Sequence, residues 1–510
     1  MTSRLPRVQS RIGVRFLRCG IVAAVLLAAV GCGSPPPRVE PELELDVPEA
    51  WSARSETADT TAAAAFGDST SWWRHFGDAV LDSLVNRAMT HNYDLRAAVT
   101  RIDAALAQAR IAGADALPSV NASFTGTRDQ RVFIGTPIPK STSTTLGVAL
   151  NTTWELDLWG RVRQARSAAL ADAQAVWADA NAAALSLAGQ TAKTYFAAVE
   201  LRLQIALTEA TVSSFRTSAN FVRDRFERGV RPSLDLRLAL TSLADAEALL
   251  QFRRAQYDRT LRQLQVLLGK YPDAAIGVTD SLPQVPAAVP AGLPSTLLMR
   301  RPDLVAAERR LAAAGARISE ARRAFLPRIA LTGSAGRTSG ELSDLLDENF
   351  SVWNIVGNLV QPIFQQGRLR AGLQLAHADA ERLLARYAQS ILRAYSDVES
   401  ALATEGYLAD QQRAQAEAAR QAIAAQALAE DRYRQGLADY ITVLAAQQTA
   451  LDAQIRLLAV RRLRLDARID LHLALGGGFE VRVDEEGTIG IDAKSDDPLA
   501  GATPTEGDQP

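Results

Sequence analysis

The chain has 510 residues, with 56 lysines and arginines against 57 aspartates and glutamates, for a net charge of -1. So close a balance argues against a nucleic-acid footprint, and four scattered histidines with two cysteines offer no HExxH helix and no Cys/His cluster for a metal enzyme. Length alone admits roughly two to four domains, so repeats and periodicity have to settle the organisation.

Residues 1–31 open with Arg4, Arg7, Arg11, Arg15 and Arg18 ahead of an apolar run from Gly20 to Val30. The run is too short to cross a bilayer as a helix, and the basic-then-apolar order is that of a secretory leader. It closes on Leu27-Ala-Ala-Val-Gly-Cys32, which resembles a bacterial lipobox. The resemblance implies acylation of the Cys32 thiol after cleavage, with Ala29 where leucine is usual, and Gly33 implies sorting to the outer membrane. An ordinary cleaved leader with a buried thiol is the alternative. Cys19 departs with the leader, so Cys32 has no partner for an intrachain disulfide. The chain beyond residue 31 carries about minus six charges. Residues 32–68 are rich in Pro, Ser, Thr and Glu, and predict an extended tether.

From residue 69 to the end of the interior, one unit reads through twice. Asp94-Leu95 returns as Asp303-Leu304 and Leu117-Pro118 as Leu326-Pro327, both 209 residues on; Gly160 returns as Gly367, Arg225-Phe-x-x-Gly229 as Arg432-Tyr-x-x-Gly436, and Leu268-Gly269 as Leu475-Gly476, all 207 residues on. In the first copy, residues 69–116 make a helical segment that Leu117-Pro118 stops. Residues 117–160 hold two alternating strands, Ser119 to Thr127 and Thr145 to Leu156, joined by a polar loop from Arg128 to Ser143. Residues 161–270 hold a proline-free helix of about 100 Å from Arg161 to Arg228 and a shorter returning one from Leu234 to Leu268. A linker, 271–302, leads to the second copy: helical 303–325, a strand pair in 326–366 around a loop from Arg337 to Asn349, then a long helix from Arg368 to Gln435 and a return from Tyr440 to Leu475 within 367–476. Residues 477–510 are acidic and read as disordered, with nine acids against two bases from Phe479 onward.

Helices of about 100 Å cannot fold back into a compact core and have to pack side by side as a rod or tube. Four strands with an apolar outward face cannot close a barrel, since the smallest membrane barrels have about eight. The fold class is therefore mainly α with a transmembrane β portion, an internal two-fold repeat, and a barrel that only oligomerisation completes.

Six motifs, weak singly and specific in this order, carry a family resemblance: Trp72-Trp73-x-x-Phe76-x-Asp78-x-x-Leu81, Asn92-x-Asp94-Leu95, Gly292-Leu-Pro-Ser295 through Arg-Arg-Pro-Asp-Leu304, Ala324-Phe-Leu-Pro327, Pro362-Ile-Phe-x-x-Gly-Arg-Leu-Arg-Ala371 and Asp439-Tyr-Ile-x-Val-Leu-x-Ala-Gln447. From Cys32 to about Gly476 the chain resembles the outer-membrane factors of tripartite efflux systems, the TolC-like superfamily, in the lipoprotein branch typified by OprM and CusC. The resemblance implies a homotrimer with a 12-stranded outer-membrane barrel and a helical periplasmic tunnel. It implies a passive duct for small molecules that works with a periplasmic adaptor and an inner-membrane transporter of the resistance-nodulation-division type. No cofactor, metal or catalytic residue is expected. A duct for protein export and a non-conducting periplasmic coiled-coil tether remain alternatives.

Gly160 and Gly367 are expected at the periplasmic rim, where strands become helices, with Arg161, Arg163, Arg368 and Arg370 near lipid headgroups. Gly229 and Gly436 are expected at the far tips. The resemblance implies that adaptor hairpins dock there beside Arg225 and Arg432, although helix capping also explains the glycines and dipole stabilisation the arginines. Asp235, Asp439 and Tyr440 are gate candidates, because threefold symmetry turns one carboxylate into a ring; favourable placement of both aspartates at helix N-termini is the competing reading. Trp72 and Trp73 are expected to be structural. Trp154, Trp159, Trp353 and Phe364 are interfacial-belt candidates against core packing. The pairs Arg309-Arg310, Arg322-Arg323 and Arg461-Arg462 read as solvated helix faces.

Overall fold

A computed structural model describes residues 36–37, 51–52, 69–132, 134, 140–286 and 300–477. The leader, Cys32 and the acidic tail lie outside them. A short 3-10 turn, Ser69–Phe76, precedes α1 (Ala79–His91) and α2 (Tyr93–Ala114), then β1 (Ser119–Val132), β2 (Lys140–Leu156), α3 (Arg161–Glu227) and α4 (Ser233–Leu267). The second half runs α5 (Pro302–Arg323), β3 (Arg328–Ser339), β4 (Ser351–Val360), α6 (Arg368–Arg434) and α7 (Tyr440–Ala474). Corresponding helices have equal lengths: 22 residues in α2 and α5, 67 in α3 and α6, and 35 in α4 and α7.

Small residues let the long helices lie against their neighbours. Ala168, Ala171, Ala175 and Ala178 recur at three- and four-residue spacing on one stripe of α3, and Ala168 and Ala171 meet Ala313 and Ala316 of α5. The largest core sits midway along α3. There Trp72, Trp73 and Phe76 pack against Tyr195, Phe196, Leu264 and Leu465, which makes the tryptophan pair structural. Asp78 caps α1, accepting from the backbone N–H groups of Val80 and Leu81 at 2.9 and 3.1 Å, and also accepts the Tyr195 hydroxyl at 2.6 Å. Asn92 accepts from Leu95 N–H at 2.9 Å to cap α2, and its amide donates at 3.0 Å to the Leu267 carbonyl that ends α4. These two residues account for two of the sequence motifs. Residues 271–286, expected as a plain linker, lay Ile276, Val278, Leu282 and Val285 onto the same core.

The strands form one antiparallel sheet in the order β1-β2-β3-β4, so β2 and β3, from different halves, are central neighbours, and β1 and β4 are edges without a further strand among the described residues. The strands run further than their hydrophobic alternation. Arg128 to Arg131 pair with Thr144 to Ser141 where a loop was expected, and β3 continues to Ser339. Where both faces of a hairpin are polar the period-two signal vanishes while the hydrogen-bond ladder continues. Two 3-10 turns, Ser343–Leu346 and Glu348–Phe350, fill the remaining β3–β4 connection.

The arginine pairs correct a sequence expectation. Adjacent helical residues point about 100° apart, so each pair sends one guanidinium into the body. Arg309 is fully buried, Arg323 donates to the Gly160 carbonyl at 3.0 Å, and Arg462 pairs with Glu200 at 2.5 Å. Arg322 and Arg461 stay exposed.

Candidate functional site

The register of the sheet separates two faces. One row aligns Asn121, Asn151, Ser334 and Asn354 across all four strands, and Thr153 with Thr332 lies on the same face. Asn151 donates to Ser123 Oγ at 2.8 Å, and Ser334 donates to Asn354 Oδ1 from backbone and side chain at 3.0 and 3.1 Å. The opposite face aligns Phe124 with Val148, Trp154 with Leu331 and Ile329 with Leu359, and it leaves Val120, Phe124, Val148, Leu150, Trp353, Ile355 and Leu359 exposed. A sheet that is largely polar on one side, apart from Val352, Val356 and Val360 on β4, and openly apolar on the other suits a wall between water and hydrocarbon. Among the described residues no helix is long and apolar enough to cross a membrane, and no group of acidic, histidine and cysteine side chains is placed to hold a metal ion.

Where the sheet meets the long helices, Gly160 and Gly367 are the N-caps of α3 and α6, with φ of 78° and 82° in the left-handed region. Asp157 accepts from the N–H groups of Val162 and Arg163 at 3.1 and 2.9 Å and closes the first N-terminus. Gln366 precedes Gly367 with its own positive φ of 49°, so the second turn is built from two left-handed residues. Indole N–H groups near the first turn reach the segments that lead from α2 into β1 and from α5 into β3: Trp154 donates to the Ala116 carbonyl at 2.9 Å and Trp159 to that of Pro327 at 2.7 Å. Trp353 and Phe364 remain exposed, toward opposite ends of β4. Of the four arginines expected at headgroups, Arg161 pairs with Glu155 at 3.0 Å and Arg163 with Asp157 at 3.4 Å, while Arg370 is exposed and Arg368 is exposed with a 2.7 Å bond to Gln365. Glu155 holds Arg161 half-buried at the turn, while Arg163 stays exposed beside Asp157.

At the far end Gly229 and Gly436 close α3 and α6 in the same way. Val230 N–H donates to the Arg225 carbonyl and Leu437 N–H to the Arg432 carbonyl, each at 2.8 Å, with the glycine N–H bonded inside that loop and φ of 74° and 79°. This is the Schellman arrangement, which requires a left-handed residue. The two tips pack on each other through Ala219, Val222 and Ala239 from one half and Ala429, Tyr433, Tyr440 and Val443 from the other.

Equivalent aromatics behave differently here. Phe226 is 39% exposed, whereas Tyr433 is 4% exposed and lies between Phe221, at 6.1 Å, and Tyr440, at 5.4 Å. The Arg225 guanidinium sits 4.4 Å from the Phe221 ring centre, and that of Arg231 5.1 Å from Tyr433. Burial pushes the Tyr440 hydroxyl up to about 12, with Tyr433 and Asp235 adding to the rise, so the ring stays neutral. Tyr440 is only 2% exposed, which removes it from any open surface of the single chain. Asp235 is half-buried in the first turn of α4, Asp439 is the exposed N-cap of α7 without a side-chain cap bond, and Arg432 is exposed. Thus Arg225, Asp235 and Tyr440 come together, while Asp439 and Arg432 stand apart on the surface. Sequence reasoning missed Phe221, Arg231 and the inward turn of Tyr433; the one available signal was tyrosine standing opposite phenylalanine in the repeated Arg-aromatic-x-x-Gly motif.

A second charged group, also absent from the sequence reading, joins α3 to α7. Lys193 pairs with Asp470 and Arg462 with Glu200 and with Asp466 of its own helix, while Arg468 ties α7 to Glu405 of α6. A cavity of about 540 Å³, walled by both charged and apolar side chains, opens beside Lys193, Arg301, Asp397, Asp466, Leu463 and Leu473.

The model of the family described as "Outer membrane efflux protein" matches residues 84–270 and 293–477. The chain is 34% identical over 467 residues to the pyoverdine export outer membrane protein OpmQ of Pseudomonas putida, covering 89% of this chain and 96% of that one. It is 35% identical over 418 residues to the toluene efflux pump outer membrane protein TtgI of the same species, covering 80% and 87%. The structure of the Campylobacter jejuni CmeC outer membrane channel superposes with a TM-score of 0.80 at 25% identity, over 88% of this chain and 95% of that one. A two-faced sheet running into 67-residue helices, matched along most of its length by such channels, places this chain in the outer membrane efflux protein family, whose members are exit channels in the outer membranes of Gram-negative bacteria.

Proposed function

We propose that this channel works as a homotrimer in which three copies of the β1-β2-β3-β4 sheet close a 12-stranded barrel and the long helices of the two repeats line a periplasmic tunnel. The carrying observation is the sheet, whose β1 and β4 edges are unpaired among the described residues and which has one apolar face and one largely polar face. A lone sheet of this kind in a bilayer leaves edge N–H and C=O groups unpaired in hydrocarbon, and edge-to-edge closure satisfies them. Trp353 and Phe364 then stand at the two levels of an interfacial aromatic belt. Cys32 is the acylated anchor, residues 32–68 are its tether, and the chain divides into the segments set out from its sequence.

The tips at Gly229 and Gly436, with Arg225 and Arg432, are the docking region for a periplasmic adaptor, and an inner-membrane transporter of the resistance-nodulation-division type supplies the energy. Asp235 and Asp439 form the periplasmic constriction, and Tyr440 acts there as a buried support for α7. The cargo is small toxic molecules. Relatives named for cargoes as different as pyoverdine and toluene match this chain at 34% and 35% identity, which supports a duct whose selectivity resides in the transporter. Deleting the gene from its host is expected to raise sensitivity to a panel of apolar toxicants at least several-fold, with recovery on complementation. Unchanged sensitivity together with intracellular retention of a secreted protein would instead favour protein export.

A further inference from the structure

Arg309 of α5 is 0% exposed, and its neighbour Glu308 is also buried. The guanidinium forks onto the Glu308 carboxylate through Nε and Nη2, both at 2.6 Å. Its remaining reach goes to the N-terminal segment: Nη1 donates to the Pro36 carbonyl at 2.9 Å and Nη2 to the Pro37 carbonyl at 3.2 Å, with Gln174 Oε1 of α3 at 3.4 Å from Nη1. Proline has a carbonyl and no N–H, so a Pro-Pro step offers only acceptors, and a guanidinium has only donors. The planar fork reaches two successive carbonyls that a lysine ammonium would meet as a single point. Without the segment, donors of a buried cation would lose their partners, which is costly in an interior.

The same segment is held a second time. Trp51 is buried and meets Tyr395 edge-on at 6.0 Å, and Ser52 N–H donates to Glu399 Oε1 at 2.7 Å. Gln174 lies 14 residues beyond Gly160 and Tyr395 lies 28 beyond Gly367, or about 21 and 42 Å along their helices from the strand-to-helix turns. Pro36 is therefore held nearer the level of the turns than Trp51 is. Cys32 is four residues before Pro36, and four residues reach at most about 14 Å. The tether to the held Pro36 therefore keeps Cys32 within about 14 Å of a seat that lies about 21 Å along α3 from Gly160.

We propose that Arg309 and Glu308 form a seat for the chain segment directly after Cys32, and that this seat sets the height of the membrane anchor relative to the barrel. The second half rests on the acylation of Cys32. The bond after Arg38 adjoins the seat and is a tryptic site, and cutting it releases the peptide from Cys32 to Arg38, whose mass reports acylation directly. With the full mature protein purified from membranes, tryptic cleavage after Arg38 is expected to be at least 10-fold faster in Arg309→Ala than in the parent, and also faster in Arg309→Lys, with cleavage after Arg482 in the tail unchanged. Should Arg309→Ala fail to fold, Arg309→Lys, which keeps the charge beside Glu308, carries the comparison. Equal rates in the parent and Arg309→Lys would overturn the seat. An unmodified Cys32 in the released peptide would overturn the anchor-height half, with the seat still judged by the rates.

Discussion

At the scale of single residues, the turns between strands and helices depend on backbone that only glycine adopts readily. Gly160→Ala and Gly367→Ala each force a side chain into φ near +80°, at an expected cost of about 1–2 kcal/mol. Gly315 lies inside α5 with open space where a methyl group would stand, and Gly315→Ala is expected to stabilise by roughly 0.5–1 kcal/mol. Chemical unfolding of the solubilised protein separates the two cases, and a neutral Gly367→Ala would remove the strain argument. These glycines were legible in the sequence because a left-handed turn leaves few alternatives. The inward Tyr433 and the outward Phe226 were not, because they occupy equivalent local positions and only the neighbours of Tyr433, Phe221 and Arg231 from the other half and Tyr440 from its own, distinguish them. The arginine pairs failed for the same reason: composition sees two charges, whereas helix geometry sends them to different surroundings.

At the scale of elements, helix existence and length were readable from alanine-rich, proline-free tracts, whereas the ties between helices were not. The α3–α7 cluster shows what periodicity omits. Burial pushes the Asp466 carboxyl up to about 6, against the lowering pull of Arg462 and Lys193, while Asp470 and Glu200 raise it further. Because the folded value stands above the ordinary carboxylate value of 3.8, the folded state binds the extra proton. This site's contribution to stability therefore grows as pH falls through about 6 and is fully gained only below about 4. Asp466→Asn carries no such titration. The difference in melting temperature between parent and Asp466→Asn is expected to shift in the parent's favour on going from pH 7 to pH 5, and a pH-independent difference would contradict the assignment. The strand extensions were illegible for another reason, since polar residues above a membrane continue a ladder without continuing a hydrophobic pattern.

At the scale of the whole molecule, the sheet and the helices make sense only together. Four strands were readable from alternation, and simple counting required further copies to close them. What counting does not supply is the pairing of β2 with β3, which joins the two halves into one continuous wall and leaves β1 and β4 as the edges offered to neighbours. The tips also join the halves, where Ala219, Val222 and Ala239 of the first meet Tyr433, Tyr440 and Val443 of the second, so each half is tied to the other at both ends. A water-filled passage through that assembly is the central claim. Its most direct test is the current through purified protein in a planar lipid bilayer. Discrete ion-conducting steps are predicted, with longer openings when Asp235→Asn and Asp439→Asn are combined. A correctly assembled protein that carries no current at any voltage, even with both aspartates neutralised, would contradict it.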